Sequence, residues 1–373
     1  METGKDDALQ SAVRKPDPRL YALRGHIAEE LLAVTLMRGS KGKTAVARPV
    51  VDLGFDGYAR RVGTLRVVPY QVKSKRSLAN GMYHYGLRPG DILPDPNGAV
   101  LFTHVTLPSI TLFPRLFVIP VSEFLARCRI SAHGNRIFST RLSGDGVDPW
   151  KEFLVHTDRL QEDWLERIHG WNDDLPALPQ PFPNTGFAPA AADDRERSAV
   201  SEDVLRDRHY YRLHGRRSET LVAGLIQSVA RHRLVVARDR IRLDTVSLLL
   251  HSLDTFKIAG LSVQTGFINP DAVVPFKLKQ TRLFVDPQLW VVIVICEPDG
   301  GFRDPSLLIP SAAIPRLMPS VRDGHGLVTF VDQIPIDNIP LRYRPYVVPT
   351  RNLGEAILKR VFDARNRSKI EAA

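Results

Sequence analysis

The chain has 373 residues, 43% hydrophobic and 25% charged, with 51 Lys and Arg against 41 Asp and Glu and a formal net charge of +10. That composition excludes wholesale disorder and fibrous repeats, and the length suffices for two compact domains of roughly 150–200 residues each. No apolar run approaches the about 18 residues a membrane span needs, and the basic balance favours a polyanionic partner without requiring one.

Met1 to Pro18 is polar, carries Asp6, Asp7 and Asp17, and lacks the apolar core of a secretory leader. The two cysteines, Cys128 and Cys296, are too few and too far apart for a disulfide framework or a thiolate zinc site. The expected compartment is a reducing cytoplasm, with no membrane partner.

The spacing of Leu23, Ile27 and Leu31, with Ala28, Leu32 and Leu36 beside them, predicts a mostly buried helix over Leu20 to Met37 that stops at Gly39. Short β-like runs follow at Ala45 to Val51, Thr64 to Val72, Ala99 to Val105 and Leu116 to Pro120. Val121 to Cys128 reads as a short helix with Ser122 as its N-cap, and Leu154 to Ile168 as a brief strand entering a helix. This order predicts a mixed α/β domain with one central sheet flanked by helices.

Between Trp171 and about Leu205 the chain carries Pro176, Pro179, Pro181, Pro183 and an Ala-rich run broken by Pro189. Proline removes backbone donors and restricts the preceding residue, so a linker is expected over 175–205, between domains at 1–174 and 206–373.

The second half repeats the first. A helix is expected over Glu219 to Ala230, strands within Leu234 to Leu250, at Gly260 to Val263 and at Leu289 to Ile295, then a strand and short helix in Ser306 to Leu317. Tyr343 to Val361 matches Lys151 to Ile168. The offset stays near 190 residues: Glu29 to Glu219 is 190, and Asp56 to Asp244 is 188. A constant offset over several elements predicts two tandem copies.

Three pieces of the first half could carry chemistry. Gly25-His26-Ile27-Ala28-Glu29-Glu30 lies on the first helix, Asp52-Leu53-Gly54-Phe55-Asp56-Gly57 follows the first strand, and Gln71-Val72-Lys73 ends another strand. Gln71 and Lys73, two apart on a strand, leave by the same face. Carboxylates and a lysine on one sheet face suit metal-assisted phosphodiester cleavage: hard oxygens hold Mg²⁺, and the ammonium holds water or developing charge.

On these residues the chain resembles the PD-(D/E)XK nuclease superfamily, of restriction-endonuclease-like fold, and within it the Mrr-like members that end in Gln-x-Lys. The resemblance spans roughly residues 20 to 125. It implies Glu29, Asp56, Gln71 and Lys73 as the catalytic set, with Glu29, Asp56 and Gln71 holding Mg²⁺ or Mn²⁺. Glu30 stays a rival to Glu29, and Asp52 to Asp56. It also implies endonuclease action on DNA ahead of RNA, in restriction, repair or antiphage defence, and leaves open a homodimer or a partner protein of a defence system. The rival function is a non-catalytic nucleic-acid-binding or scaffold protein on nuclease-like domains.

Charge supports a nucleic acid independently. From Gly57 to Gly90 there is no Asp or Glu, while Arg60, Arg61, Arg66, Lys73, Lys75, Arg76 and Arg88 are basic. Arg60, Arg61, Lys75 and Arg76 are expected to meet phosphate, as are Arg216 and Arg217 in the Arg-rich start of the second half. Tyr83 and Tyr85 are expected to pack on the sheet in preference to stacking on bases, and His104 to be a structural histidine. In the second half Glu219 stands opposite Glu29, Asp244 opposite Asp56, Ser262 opposite Gln71 and Gln264 opposite Lys73. Without the lysine, this copy is expected to be inactive.

Overall fold

The computed structural model describes residues 18–51, 53–75, 82–106, 110–141, 148–170, 202–230, 233–240, 246–268, 272–279, 283, 286–297, 301–322, 328–335 and 337–363. The first half runs α1 (Pro18–Gly39), β1 (Thr44–Pro49), β2 (Gly57–Arg61), β3 (Val67–Lys75), β4 (Met82–Leu87), β5 (Ala99–Thr106), β6 (Thr111–Leu112), β7 (Arg115–Pro120), α2 (Val121–Arg127), β8 (Arg129–Ile130), β9 (Arg136–Arg141) and β10 (Leu154–His156), then a helical segment to Ile168. The second runs α3 (Glu202–Val229), β11 (Leu234–Asp239), β12 (Leu248–Ser252), β13 (Ile258–Phe267), β14 (Val273–Lys279), β15 (Leu289–Cys296), β16 (Phe302–Pro310), α4 (Ile314–Leu317), β17 (Ser320–Arg322), β18 (Val328–Pro335), β19 (Val347–Val348) and α5 (Leu353–Ile357).

The fold is mixed α/β. One 13-stranded sheet takes the order β10-β7-β5-β3-β2-β1-β11-β12-β13-β15-β16-β19, with β6 beside β5. Parallel pairing occurs at β3–β5 and β13–β15, in equivalent places. The halves meet where β1 pairs antiparallel with β11, in the register Ala47↔Asp239, Arg48↔Arg238 and Pro49↔Ala237. Arg48 and Arg238 are themselves 190 residues apart, so the repeat folds about a pseudo-two-fold centred on that pair.

The pleat sorts the two faces. Ala28, Leu32 and Leu36 of α1 pack on Val46, Ala59, Tyr70, Val72 and Leu101. Val222, Ala223 and Ile226 of α3 cover Val236, Leu250, Leu261 and Val292 in the same way. Two three-stranded sheets, β4-β9-β8 and β14-β18-β17, lie on the opposite face. Their aromatic and aliphatic residues pack on Val100 and Phe102 in one half and on Val291 and Ile293 in the other.

That second face also joins the halves: Phe55, Tyr58 and Leu65 share a core with Val235, Leu249 and Leu289. Arg60 and Asp239, both with essentially no side-chain exposure, pair at 2.6 Å within it. Fully buried His251 lies 3.3 Å from the Tyr58 hydroxyl through Nδ1 and 3.1 Å from the equally buried Asp95 carboxylate through Nε2. Across the sheet, Glu30 of α1 accepts from Arg48 at 2.9 Å and from Arg240 of the second half.

Several elements depart from the sequence reading. α3 begins at Glu202, not Glu219, so the boundary expected at 206 falls inside a helix; its polar, arginine-rich first turns concealed the period. Residues 171–201, most of the expected linker, lie outside the described residues. Ser122 sits inside the first turn of α2, whose N-cap is Pro120 without a side-chain bond. Among the described residues no helix is long and apolar enough to cross a membrane.

Removing one partner of a buried ion pair strands the other, at a cost of about 3–5 kcal/mol. Asp239→Ala is expected to lower stability by about that amount in denaturant titration. Trp164 of the first half and Trp290 of the second should lose their native signals together, because the halves share a sheet and a core. Glu30 gives a pH test. Its carboxyl is held below the ordinary value by the Arg240 hydrogen bond, against burial, and further by the charges of Arg240, Arg48 and His26. A depressed folded pKa contributes stability above the unfolded value, and that stability is lost as pH falls through the folded one. Thermal melts of Glu30→Gln should therefore show a shallower decline than wild type below the ordinary carboxylate range.

Candidate functional site

The site grows out of the turn between β1 and β2. Gly54 holds φ at +97°, a conformation that strains other L-residues, and so turns the chain back toward the sheet. Asp56 then enters β2 with its N–H donating to the Tyr70 carbonyl at 3.0 Å. Its carboxylate accepts the Val72 N–H, which fixes it against β3. Gly57 follows because Tyr70 leaves no room: a Cβ there would lie 2.3 Å from the tyrosine hydroxyl.

Along β3, Tyr70 and Val72 point to α1, so Gln71 and Lys73 point to the opposite face, where their β5 partners Val100 and Phe102 also point. Gln71 is 1% exposed. Its Nε2 donates to the Gly54 carbonyl oxygen. A carbonyl only accepts, so this contact decides the amide orientation and identifies the remaining atom as Oε1. That buried oxygen has no hydrogen-bond partner among the described residues, and an unmet buried acceptor costs about 1–3 kcal/mol. Lys73 stands two residues on, half-buried, on the same face.

Tyr70 reports the charge nearby. Its hydroxyl pKa is pushed up chiefly by burial, opposed by Arg240 and reinforced by the carboxylates of Asp56, Glu29 and Glu30. Gln71 and Lys73 thus share one face of β3, the Val72 N–H between them holds the Asp56 carboxylate at the strand, and Asp56, Glu29 and Glu30 all lie near enough to the Tyr70 hydroxyl to act on it. Glu29 accepts from Arg48 at 3.3 Å and meets His26 at 3.3 Å. Among the described residues no three His, Cys, Asp or Glu side chains gather as a metal cluster. Asp52, the rival to Asp56, lies outside the described residues.

The basic block is corrected at one position. Arg60 is not a phosphate contact: it is fully buried, paired with Asp239, and donates to the Thr64 carbonyl at 3.2 Å. Arg61 is half-buried, and Arg216 and Arg217 are exposed on α3. The side chain of Lys75 and the whole of Arg76 lie outside the described residues. Tyr83 and Tyr85 are buried, as expected, stacked on each other at 6.1 Å and packed around Phe102 and Phe117. His104 lies against Phe113.

The second half is corrected too. Ser247, not Asp244, occupies the place of Asp56: its N–H donates to Leu261 O at 2.8 Å, and its Oγ accepts the Val263 N–H at 3.2 Å. Each of these three positions is 191 residues beyond its counterpart Asp56, Tyr70 or Val72. Asp244 lies outside the described residues. Ser262 and Gln264 do stand where Gln71 and Lys73 stand, with Gln264 Nε2 donating to Ser262 Oγ at 2.8 Å. Glu219 is buried on α3 at the position of Glu29. What the sequence reading missed is Gly54, whose carbonyl orients Gln71; the Gly-Phe-Asp turn was its only signal.

No protein-family model matches the chain, and neither a curated protein nor a solved structure matches it significantly.

Placing a second carboxylate beside Asp56 tests the orphan oxygen. Gln71→Glu should melt lower than wild type in chelator, since like charges in a buried site repel. It should gain more than wild type when Mg²⁺ or Mn²⁺ is added, because a ligand bound only by the native state raises stability.

Proposed function

We propose that the chain is a metal-dependent nuclease of restriction-endonuclease-like fold that hydrolyses phosphodiester bonds in nucleic acid, DNA ahead of RNA, with Asp56, Gln71 and Lys73 as its centre. The observation that carries this reading is the orphaned, buried Oε1 of Gln71 on the strand whose Val72 N–H anchors the Asp56 carboxylate, with Lys73 on the same face as Gln71. An amide oxygen and a carboxylate are hard donors. Mg²⁺ commonly takes only one or two protein carboxylates and completes its shell with water and substrate phosphate, so the donor set fits that ion. When bound, the metal supplies charge neutralisation at the phosphoryl group and a more acidic water.

The chain's own residues do the rest. Gly54 holds the Gln71 amide nitrogen and so leaves Oε1 as the atom available to a cation, and the Val72 N–H holds the Asp56 carboxylate. Lys73 places a positive charge at the reacting phosphate. As water oxygen bonds to phosphorus, one P–O ester bond breaks and the departing oxygen takes a proton. Glu29, engaged by Arg48 and His26, is given no direct part in this reading. The non-catalytic alternative is favoured only for the second half, where Ser247 and Gln264 replace the carboxylate and the lysine.

Plasmid cleavage with Mg²⁺, Mn²⁺ or EDTA tests the reading. Asp56→Asn retains an acceptor for the Val72 N–H and should abolish cleavage without unfolding. Lys73→Ala should lower turnover by about 10²–10³-fold and binding by less than about tenfold, since one phosphate contact among several contributes little to affinity. Glu29→Ala should cost far less than either. A folded Asp56→Asn protein cleaving at the wild-type rate would refute the assigned centre.

A further inference from the structure

Resting on the nuclease reading, we infer that each chain cuts one strand of a duplex, because it folds as a pseudo-symmetric pair of sites of which one is chemically silent. Two-fold enzymes cut both strands by presenting one site to each. Here the β1–β11 pairing reproduces such an arrangement inside a single chain, centred on Arg48 and Arg238. The parity of the strands puts Gln71 and Ser262 on the same face of the continuous sheet, five strand spacings or about 24 Å apart across it.

The second site keeps the backbone geometry of the first and has lost its charges. Ser247 accepts the Val263 N–H as Asp56 accepts the Val72 N–H. Ser262 meets Gln264 at 2.8 Å, so the side chains that replace Gln71 and Lys73 satisfy each other. A serine pair and a neutral amide offer no anionic ligand to a hard cation and no positive charge to a phosphate. What remains is a place for the uncut strand.

Supercoiled plasmid distinguishes the outcomes. With Mn²⁺, wild type should give open circles as the first product, and linear molecules only later, from independent second nicks. Linear product forming at the same initial rate as open circles, at a concentration where sedimentation shows single chains, would overturn the inference while leaving the nuclease reading intact. Metal binding provides a readout free of turnover. In Mn²⁺ titrations by calorimetry, Asp56→Asn should lose all specific binding and Ser247→Ala should lose none, each variant checked by its melting curve. Mn²⁺ sites that survive in Asp56→Asn and vanish in Ser247→Ala would overturn it as well. Absence of both cleavage and Mn²⁺ binding in wild type would instead bring down the nuclease reading and, with it, this inference.

Discussion

The pairing of β1 with β11 is the constraint on which the rest depends. Separated, each half would present an open edge strand with a row of unmet N–H and C=O groups. Joined, the two edges satisfy each other, but the register sets Arg48 directly opposite Arg238. Like charges in cross-strand register are unfavourable. The structure answers with different partners on the two sides: Glu29 and Glu30 take Arg48, and Glu30 also takes Arg240, whereas Arg238 donates to Thr220 at 3.1 Å. The carboxylates of α1 that suggest metal ligation in the sequence are thus occupied in neutralising the seam.

The opposite face of that seam is buried, and its polar groups are paired across the halves. Arg60 reaches Asp239, and His251 lies between Tyr58 and Asp95. Such groups tolerate little movement, since losing a partner leaves a charge or donor stranded in a low-dielectric interior. The turn that carries Gly54 and Asp56 starts from β1 itself and returns into β2. The candidate centre is therefore held next to the cross-braced seam, as a site needing sub-ångström placement requires.

Much of this was legible in the sequence. Alternation alone put Gln71 and Lys73 on one face, and the near-constant offset anticipated the repeated element order. The Gly-containing turn after the first strand offered Asp56, with Asp52 as its rival. Arg60 was misread because its partner lies 179 residues away, and nothing local distinguishes a buried arginine from a solvated one. β2 was missed for the same reason: two adjacent arginines disguise a strand whose first four residues are buried. Asp244 was matched to Asp56 by charge, whereas equivalence in the fold follows the backbone hydrogen bonds, which select Ser247.

That substitution separates two tasks which Asp56 combines. One is structural: the N–H at position 72, or 263 in the second half, needs an acceptor from the preceding strand, and either a carboxylate or a hydroxyl can supply it. The other is electrostatic, and only the carboxylate performs it. A change to an apolar residue would remove both, stranding a buried donor at about 1–3 kcal/mol and disturbing the turn. Serine removes the charge alone. The second half therefore keeps its strand geometry, its register against β15 and its place in the continuous sheet, without the carboxylate that the proposed metal site of the first half uses. A charge can be exchanged for a hydroxyl there without loss of architecture, and a fold built on a shared seam demands that the architecture stay, because the first half depends on β11 as the neighbour of β1.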